Sequence, residues 1–100
     1  MVDEAYIDFS KEKSFSSLLD QYPNLLVMQT FSKAWGLASL RLGMAFASPE
    51  IIQILNRIKP PYNISGLTQE TVIKALGQVD KMKEMVREIL KEREFLKRRL

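Results

Sequence analysis

The chain has 100 residues, of which 46% are hydrophobic and 27% charged. That balance suits one small globular domain or a piece of a larger one, and it is too apolar for an intrinsically disordered chain. It has no cysteine and no histidine, which excludes disulfides, thiolate catalysis, cysteine- or histidine-held metals and serine–histidine hydrolysis from this chain's own residues. The formal net charge of +3 is unevenly spread: residues 1 to 32 hold five acids against two lysines, and residues 66 to 100 hold nine basic and six acidic side chains.

The first element expected is a strand from Val2 to Phe9, where apolar and polar residues alternate imperfectly. Its acidic start, Met1-Val2-Asp3-Glu4, lacks the basic flank and apolar stretch of a signal peptide. No apolar run approaches the ~20 residues that span a bilayer, so a soluble cytoplasmic chain without membrane contact is expected. Ser14 caps a short helix running to Asp20, which Tyr22-Pro23-Asn24 stops. Leu25-Leu26-Val27-Met28 is a continuous apolar run between breakers, the pattern of a strand covered on both faces in a parallel α/β sheet. Leu42 to Ala47 is the third strand.

Ser48-Pro49-Glu50 begins a helix, with serine at the cap, proline at the first helical position and an acid in the first turn. Ile51, Ile52, Leu55 and Ile58 mark its buried stripe, and Lys59-Pro60-Pro61 ends it. Beyond Tyr62-Asn63-Ile64-Ser65-Gly66, one long helix is expected from about Leu67 to the C-terminus, with Val72, Leu76, Val79, Val86, Ile89 and Leu96 at helical spacing. Its surface charges pair three or four apart, as Glu84 with Arg87, Glu88 with Lys91 and Glu94 with Arg98. Only Lys97-Arg98-Arg99 forms a basic cluster. It is too short to carry nucleic-acid binding through summed phosphate contacts, so no nucleic-acid partner is expected. Three short strands and an uncovered helix make the chain read as an internal segment of something longer.

Lys33 is the residue that asks for an explanation. It stands in Thr30-Phe31-Ser32-Lys33-Ala34-Trp35-Gly36-Leu37, directly after the apolar strand. Gly36 lets the backbone turn tightly, and Arg41-Leu42-Gly43 brings a guanidinium where the chain re-enters a strand. Asp3 and Tyr6 lie three apart at the end of another strand. Taken singly, each is an ordinary strand-end or surface residue. Together they suit pyridoxal phosphate, whose aldehyde needs an amine, whose ring nitrogen needs a carboxylate, whose phenolic oxygen needs a hydrogen-bond donor, and whose phosphate needs an arginine fork and hydroxyls. Ser10-Lys11-Glu12-Lys13 also meets the serine-x-x-lysine spacing of penicillin-binding enzymes, but it lies in a polar loop without their other motifs.

Asp3-Glu4-Ala5-Tyr6, followed by Thr30-Phe31-Ser32-Lys33 and then by Gly36-Leu37 and Arg41-Leu42-Gly43, resembles the fold-type I pyridoxal-phosphate-dependent aminotransferases. Lys59-Pro60-Pro61-Tyr62-Asn63-Ile64-Ser65 is similar to the interdomain crossing of their histidinol-phosphate branch. The resemblance implies an α/β fold in which residues 1 to 58 close the large domain's mostly parallel sheet. Residues 59 to 66 connect the domains, and residues 67 to 100 form the first long helix of the small one. It implies that Lys33 is catalytic, bonding the cofactor aldehyde and moving a proton at the substrate α-carbon. Asp3 then pairs with the ring nitrogen, Tyr6 donates to the phenolic oxygen, and Thr30 and Arg41 hold the phosphate with help from Ser32. The parent is expected to be a homodimeric transaminase of histidine biosynthesis acting on small amino and keto acids, with this segment inactive alone. Its rivals are a related aminotransferase, a cobalamin-pathway decarboxylase using the same cofactor, and, from another class, a small helical module that self-associates.

Overall fold

The computed structural model describes all 100 residues. Three strands, β1 (Val2–Asp3), β2 (Leu26–Thr30) and β3 (Gly43–Ala47), form one sheet in the order β1-β2-β3. β1 runs parallel to β2, with Val2 opposite Val27 and Asp3 opposite Met28. β3 runs antiparallel to β2, from Leu26 opposite Ala47 to Thr30 opposite Gly43. The fold is therefore α/β with a mixed sheet, and the Leu25–Met28 run lies in its central strand. Val27 is 0% exposed, as expected of a β-branched side chain under a covered sheet face.

The first strand is shorter than the alternation suggests. Pairing ends when Glu4 N donates to Met28 O at 2.8 Å, and Ile7–Phe9 turns into a 3-10 helix. The Asp3 side chain ends the strand by accepting from Ala5 N at 3.0 Å, a local turn that competes with the ladder. Ser14 does cap a helix, accepting from Ser16 N, but that helix is a 3-10 turn over Phe15–Leu18.

Helix α1 (Pro49–Ile58) starts with Pro49 in its first turn, as expected, although the Ser48 side chain makes no capping hydrogen bond. Its stripe is only partly covered, and Ile58 is 72% exposed. The long C-terminal helix is in fact two, α2 (Gly66–Leu76) and α3 (Val79–Arg99). Gly77 N bonds Ile73 O, but Gln78 N bonds Ala75 O in a tighter turn, and Gln78 leaves helical geometry at φ −120°, ψ 38°. The apolar periodicity runs straight through this break because glycine interrupts the backbone ladder without disturbing the spacing of the side chains. The break lets α3 fold back onto the 3-10 turn at Ile7–Phe9. None of the three expected surface pairs forms; Glu94 instead meets Lys97 at 3.4 Å and Arg93 at 3.3 Å.

Besides Val27, the buried apolar residues are Phe31, Ala34, Val72 and Val86. The radius of gyration is 16.0 Å, with extents of 51 × 35 × 23 Å, against roughly 13 Å for a compact domain of this length. No helix is long and apolar enough to cross a membrane.

Candidate active site

The loop from β2 to β3 is closed by Phe31. Its N–H donates to Leu42 O at 3.2 Å, its carbonyl accepts from Leu37 N at 3.0 Å, and its ring is buried and tilted against Trp35 with centroids 5.7 Å apart. With the aromatic and the backbone both anchored, Lys33 and Arg41 emerge from the two arms of one short loop. On the first arm, Thr30 Oγ1 accepts from Ser32 N at 3.0 Å, and Gly36 N closes a turn onto Lys33 O at 3.0 Å. Gly36 has φ +66°, a left-handed conformation that glycine adopts without steric cost.

On the second arm, a 3-10 turn over Ala38–Leu40 ends at Arg41, whose backbone is also left-handed, φ 51° and ψ 47°. That geometry disfavours a side chain with a Cβ by roughly 1 kcal/mol. The guanidinium offers partial compensation, donating through Nη1 to Ala38 O at 3.4 Å. Tyr62, at φ 54°, is the other non-glycine residue in this conformation; of the two, Arg41 lines the same cavity as Lys33.

Asp3, Thr30, Ser32, Lys33 and Arg41 line one open cavity of about 350 Å³, together with Ala5, Met28 and Gln29. It lies past the carboxyl ends of the parallel strands β1 and β2, where open α/β sheets bind their ligands. Tyr6, the sixth residue singled out by the sequence, does not line this cavity. Its ring lies beside it, with Lys33 Nζ 5.4 Å from the ring centroid. The Lys33 side chain is exposed, and its Nζ makes no hydrogen bond.

The donor set fits pyridoxal phosphate. Residues bearing one amine, one carboxylate, one guanidinium and two hydroxyls line a single space, and these groups complement an aldehyde, a protonated ring nitrogen and a phosphate. No cluster of acids, histidines or cysteines suits a metal ion.

Beside this site lies a group that sequence reasoning passed over. Glu4 is buried, 6% exposed. It accepts from Phe15 N at 2.7 Å, Ser14 Oγ at 2.7 Å and Gln29 Nε2 at 3.0 Å. Burial alone pushes its carboxyl pKa up, but the hydrogen bonds from Phe15, Ser14 and Gln29 outweigh this and hold it below the usual value. Strand alternation held the signal: Glu4 shares a face with Val2 and lies opposite to Asp3.

A short mixed sheet with an exposed lysine and an arginine at the mouth of its central strand is the arrangement expected of a segment of an α/β cofactor-dependent transferase. The chain belongs to the aminotransferase class I and II family, whose pattern matches residues 1–100. It is 62% identical over 100 residues to a histidinol-phosphate aminotransferase of Cytophaga hutchinsonii, covering all of this chain and 29% of that protein. A histidinol-phosphate aminotransferase of Parabacteroides distasonis is 57% identical over 98 residues, covering 98% of this chain and 28% of that protein. Among solved structures, the histidinol-phosphate aminotransferase of Sinorhizobium meliloti in complex with pyridoxal-5'-phosphate superposes with a TM-score of 0.85 at 32% identity. That match covers 96% of this chain and 27% of the other. The chain thus spans between a quarter and a third of the length of these relatives.

Proposed function

We propose that this chain carries the cofactor-gripping part of a pyridoxal-phosphate-dependent histidinol-phosphate aminotransferase, which exchanges an amino group between glutamate and a keto phosphate. The observation that carries the reading is the convergence of Lys33, Asp3, Arg41, Thr30 and Ser32 on one cavity at the carboxyl ends of two parallel strands. Relatives that are histidinol-phosphate aminotransferases support the substrate.

When bound, pyridoxal phosphate supplies a covalent handle for the amino group and an electron sink that steadies negative charge at the substrate α-carbon. This chain's residues supply the rest. Lys33 offers the amine that holds the cofactor aldehyde, and that same amine, released, takes and returns the proton at the α-carbon. Asp3 keeps one oxygen on Ala5 N and presents its charge to the ring nitrogen, favouring the protonated ring. Arg41 and the hydroxyls of Thr30 and Ser32 hold the phosphate, the guanidinium through a charged fork. Tyr6, whose ring stands beside Lys33, would donate a hydrogen bond from its hydroxyl to the phenolic oxygen.

In this reading, residues 1 to 58 belong to the large domain, 59 to 66 to the connection, and α2 and α3 to the small domain. The full-length enzyme is cytoplasmic and homodimeric, and the 100-residue segment alone does not turn over substrate.

The test uses the full-length protein. Titration with pyridoxal phosphate should develop the visible absorbance of a lysine-bound cofactor, and the loaded protein should move the amino group of histidinol phosphate to 2-oxoglutarate. A cofactor band with turnover only on other amino acids would remove the substrate assignment and keep the cofactor site.

A further inference from the structure

We infer that Glu4 is a positioning residue that clamps the loop carrying Tyr6, so that the aromatic ring stays against Lys33 and the Asp3 carboxylate keeps its place. The inference rests on the proposed function for its catalytic meaning, and on geometry for the clamp itself.

Glu4 follows Asp3 directly, and the two side chains leave opposite faces of the sheet. Asp3 enters the cofactor cavity, while Glu4 turns to the other face, where three donors converge on its two oxygens. Phe15 N reaches Oε1, and Ser14 Oγ and Gln29 Nε2 reach Oε2. These donors come from two places: Gln29 is in β2, and Ser14 and Phe15 begin the 3-10 turn that follows the loop. The carboxylate therefore joins the end of β1 to the central strand and to the far end of the excursion through residues 5 to 13.

Tyr6 sits inside that excursion and is itself exposed. Its ring meets Phe9 within the loop as a tilted pair, centroids 6.4 Å apart, and the Lys33 ammonium from the loop after β2. Fixing both ends of the loop on one buried carboxylate holds the backbone from which the Tyr6 ring reaches Lys33. Lys13, the one cation around the hollow that Glu4 borders, makes no ion pair with Glu4, and Glu12 there is an anion.

A glutamine at this position keeps the shape but cannot accept from all three donors, because its amide nitrogen would face a hydroxyl or a backbone N–H. The test uses the full-length protein with Glu4→Gln, Ser14→Ala and Ser14→Thr. In the cofactor-free form, amide hydrogen exchange of residues 5 to 13 and of Phe15 should quicken about tenfold in Glu4→Gln and Ser14→Ala. In the loaded form, kcat should fall about tenfold with KM within about twofold, since the clamp aligns groups without touching substrate. Ser14→Thr retains the hydroxyl and should restore both.

Unchanged loop exchange in Glu4→Gln would overturn the clamp. A lower melting temperature with normal kcat and a normal cofactor spectrum would reduce Glu4 to a purely structural role and also overturn the inference. Should Glu4→Gln fail to fold, the Ser14 pair decides by the same two readouts. A wild-type protein that shows no cofactor band would defeat the proposed function, while the exchange comparison still decides the clamp.

Discussion

The Lys33 ammonium lies 5.4 Å from the centroid of the Tyr6 ring, bringing together residues from the loops that follow two neighbouring strands. Tyr6 comes from the loop after β1 and Lys33 from the loop after β2, and the parallel pairing of those strands puts both loops at one end of the sheet. A cation above an aromatic face gains about 0.5–1 kcal/mol at an exposed site. That is enough to orient a free lysine side chain, and small enough to be given up when the amine reacts.

Lys33→Ala in the full-length enzyme should abolish transamination and the visible band of the lysine-bound cofactor. Stability should stay within about 1 kcal/mol of wild type, because the Lys33 side chain is exposed and its recorded contact is the Tyr6 ring. Denaturant unfolding of the cofactor-free proteins gives the stability difference, and absorbance spectroscopy gives the band. A large loss of stability would mean that Lys33 is a structural residue.

Asp3→Asn separates charge from shape. The amide oxygen can still accept from Ala5 N, as Asp3 Oδ1 does at 3.0 Å, so the turn that ends β1 should survive. The ring nitrogen loses its anion, and kcat should drop on the order of 10²-fold or more, as when a preorganised charge is removed from a developing-charge site. Steady-state kinetics with circular dichroism checks both halves; a variant with near wild-type kcat would remove Asp3 from the site.

Arg41→Gly exposes a trade between backbone and function. At φ 51°, glycine relieves the strain of a left-handed residue, worth roughly 1 kcal/mol, partly offset by its freer unfolded chain. The cofactor-free protein should be as stable as wild type or slightly more so, while cofactor affinity should fall about tenfold or more through loss of the phosphate fork. Equilibrium dialysis of pyridoxal phosphate measures the second effect. Undiminished affinity would show that Arg41 does not hold the phosphate.

Acid should act through Glu4. Its carboxyl pKa is depressed below the ordinary 4.5 by hydrogen bonds that only the charged form accepts fully. A depressed folded-state value contributes stability that is fully present above the unfolded pKa and is lost as pH falls through the folded one. The stability advantage of wild type over Glu4→Gln should therefore be constant near neutrality and shrink only as the pH drops below about 4.5. Paired urea titrations across that range check the sign; an advantage that grows on acidification would contradict it.

The elements read most directly from sequence are those with local punctuation. Pro23-Asn24 before the apolar run and Ser48-Pro49-Glu50 at the start of α1 set their boundaries to within a residue or two. The placement of Lys33 and Arg41 at one cavity was legible for a similar reason, since one short loop carries both. What stayed hidden depends on long-range partners. Val2 to Phe9 alternates like a strand, but only Val2 and Asp3 have a neighbour to pair with. The helix after Gly66 looks continuous because side-chain periodicity does not register the turn at Gly77-Gln78. Glu4 reads as one more acid in an acidic start, until Ser14 and Gln29, 10 and 25 residues away in sequence, arrive beside it.

The isolated 100-residue chain should self-associate. Tyr6, Ile54, Ile58, Ile73 and Ile89 are exposed, and β1 and β3 both present unpaired edges, features that favour association and strand exchange. Size-exclusion chromatography with light scattering should show species larger than a monomer. A monodisperse monomer would contradict the expectation.

The most direct test of the central claim is chemical. The full-length protein is incubated with pyridoxal phosphate, reduced with borohydride to make any lysine–cofactor bond permanent, digested, and mapped by mass spectrometry. The account predicts a single labelled site at Lys33, lost in Lys33→Ala. Label spread over surface lysines such as Lys81 and Lys83, or confined to a lysine other than Lys33, would contradict it.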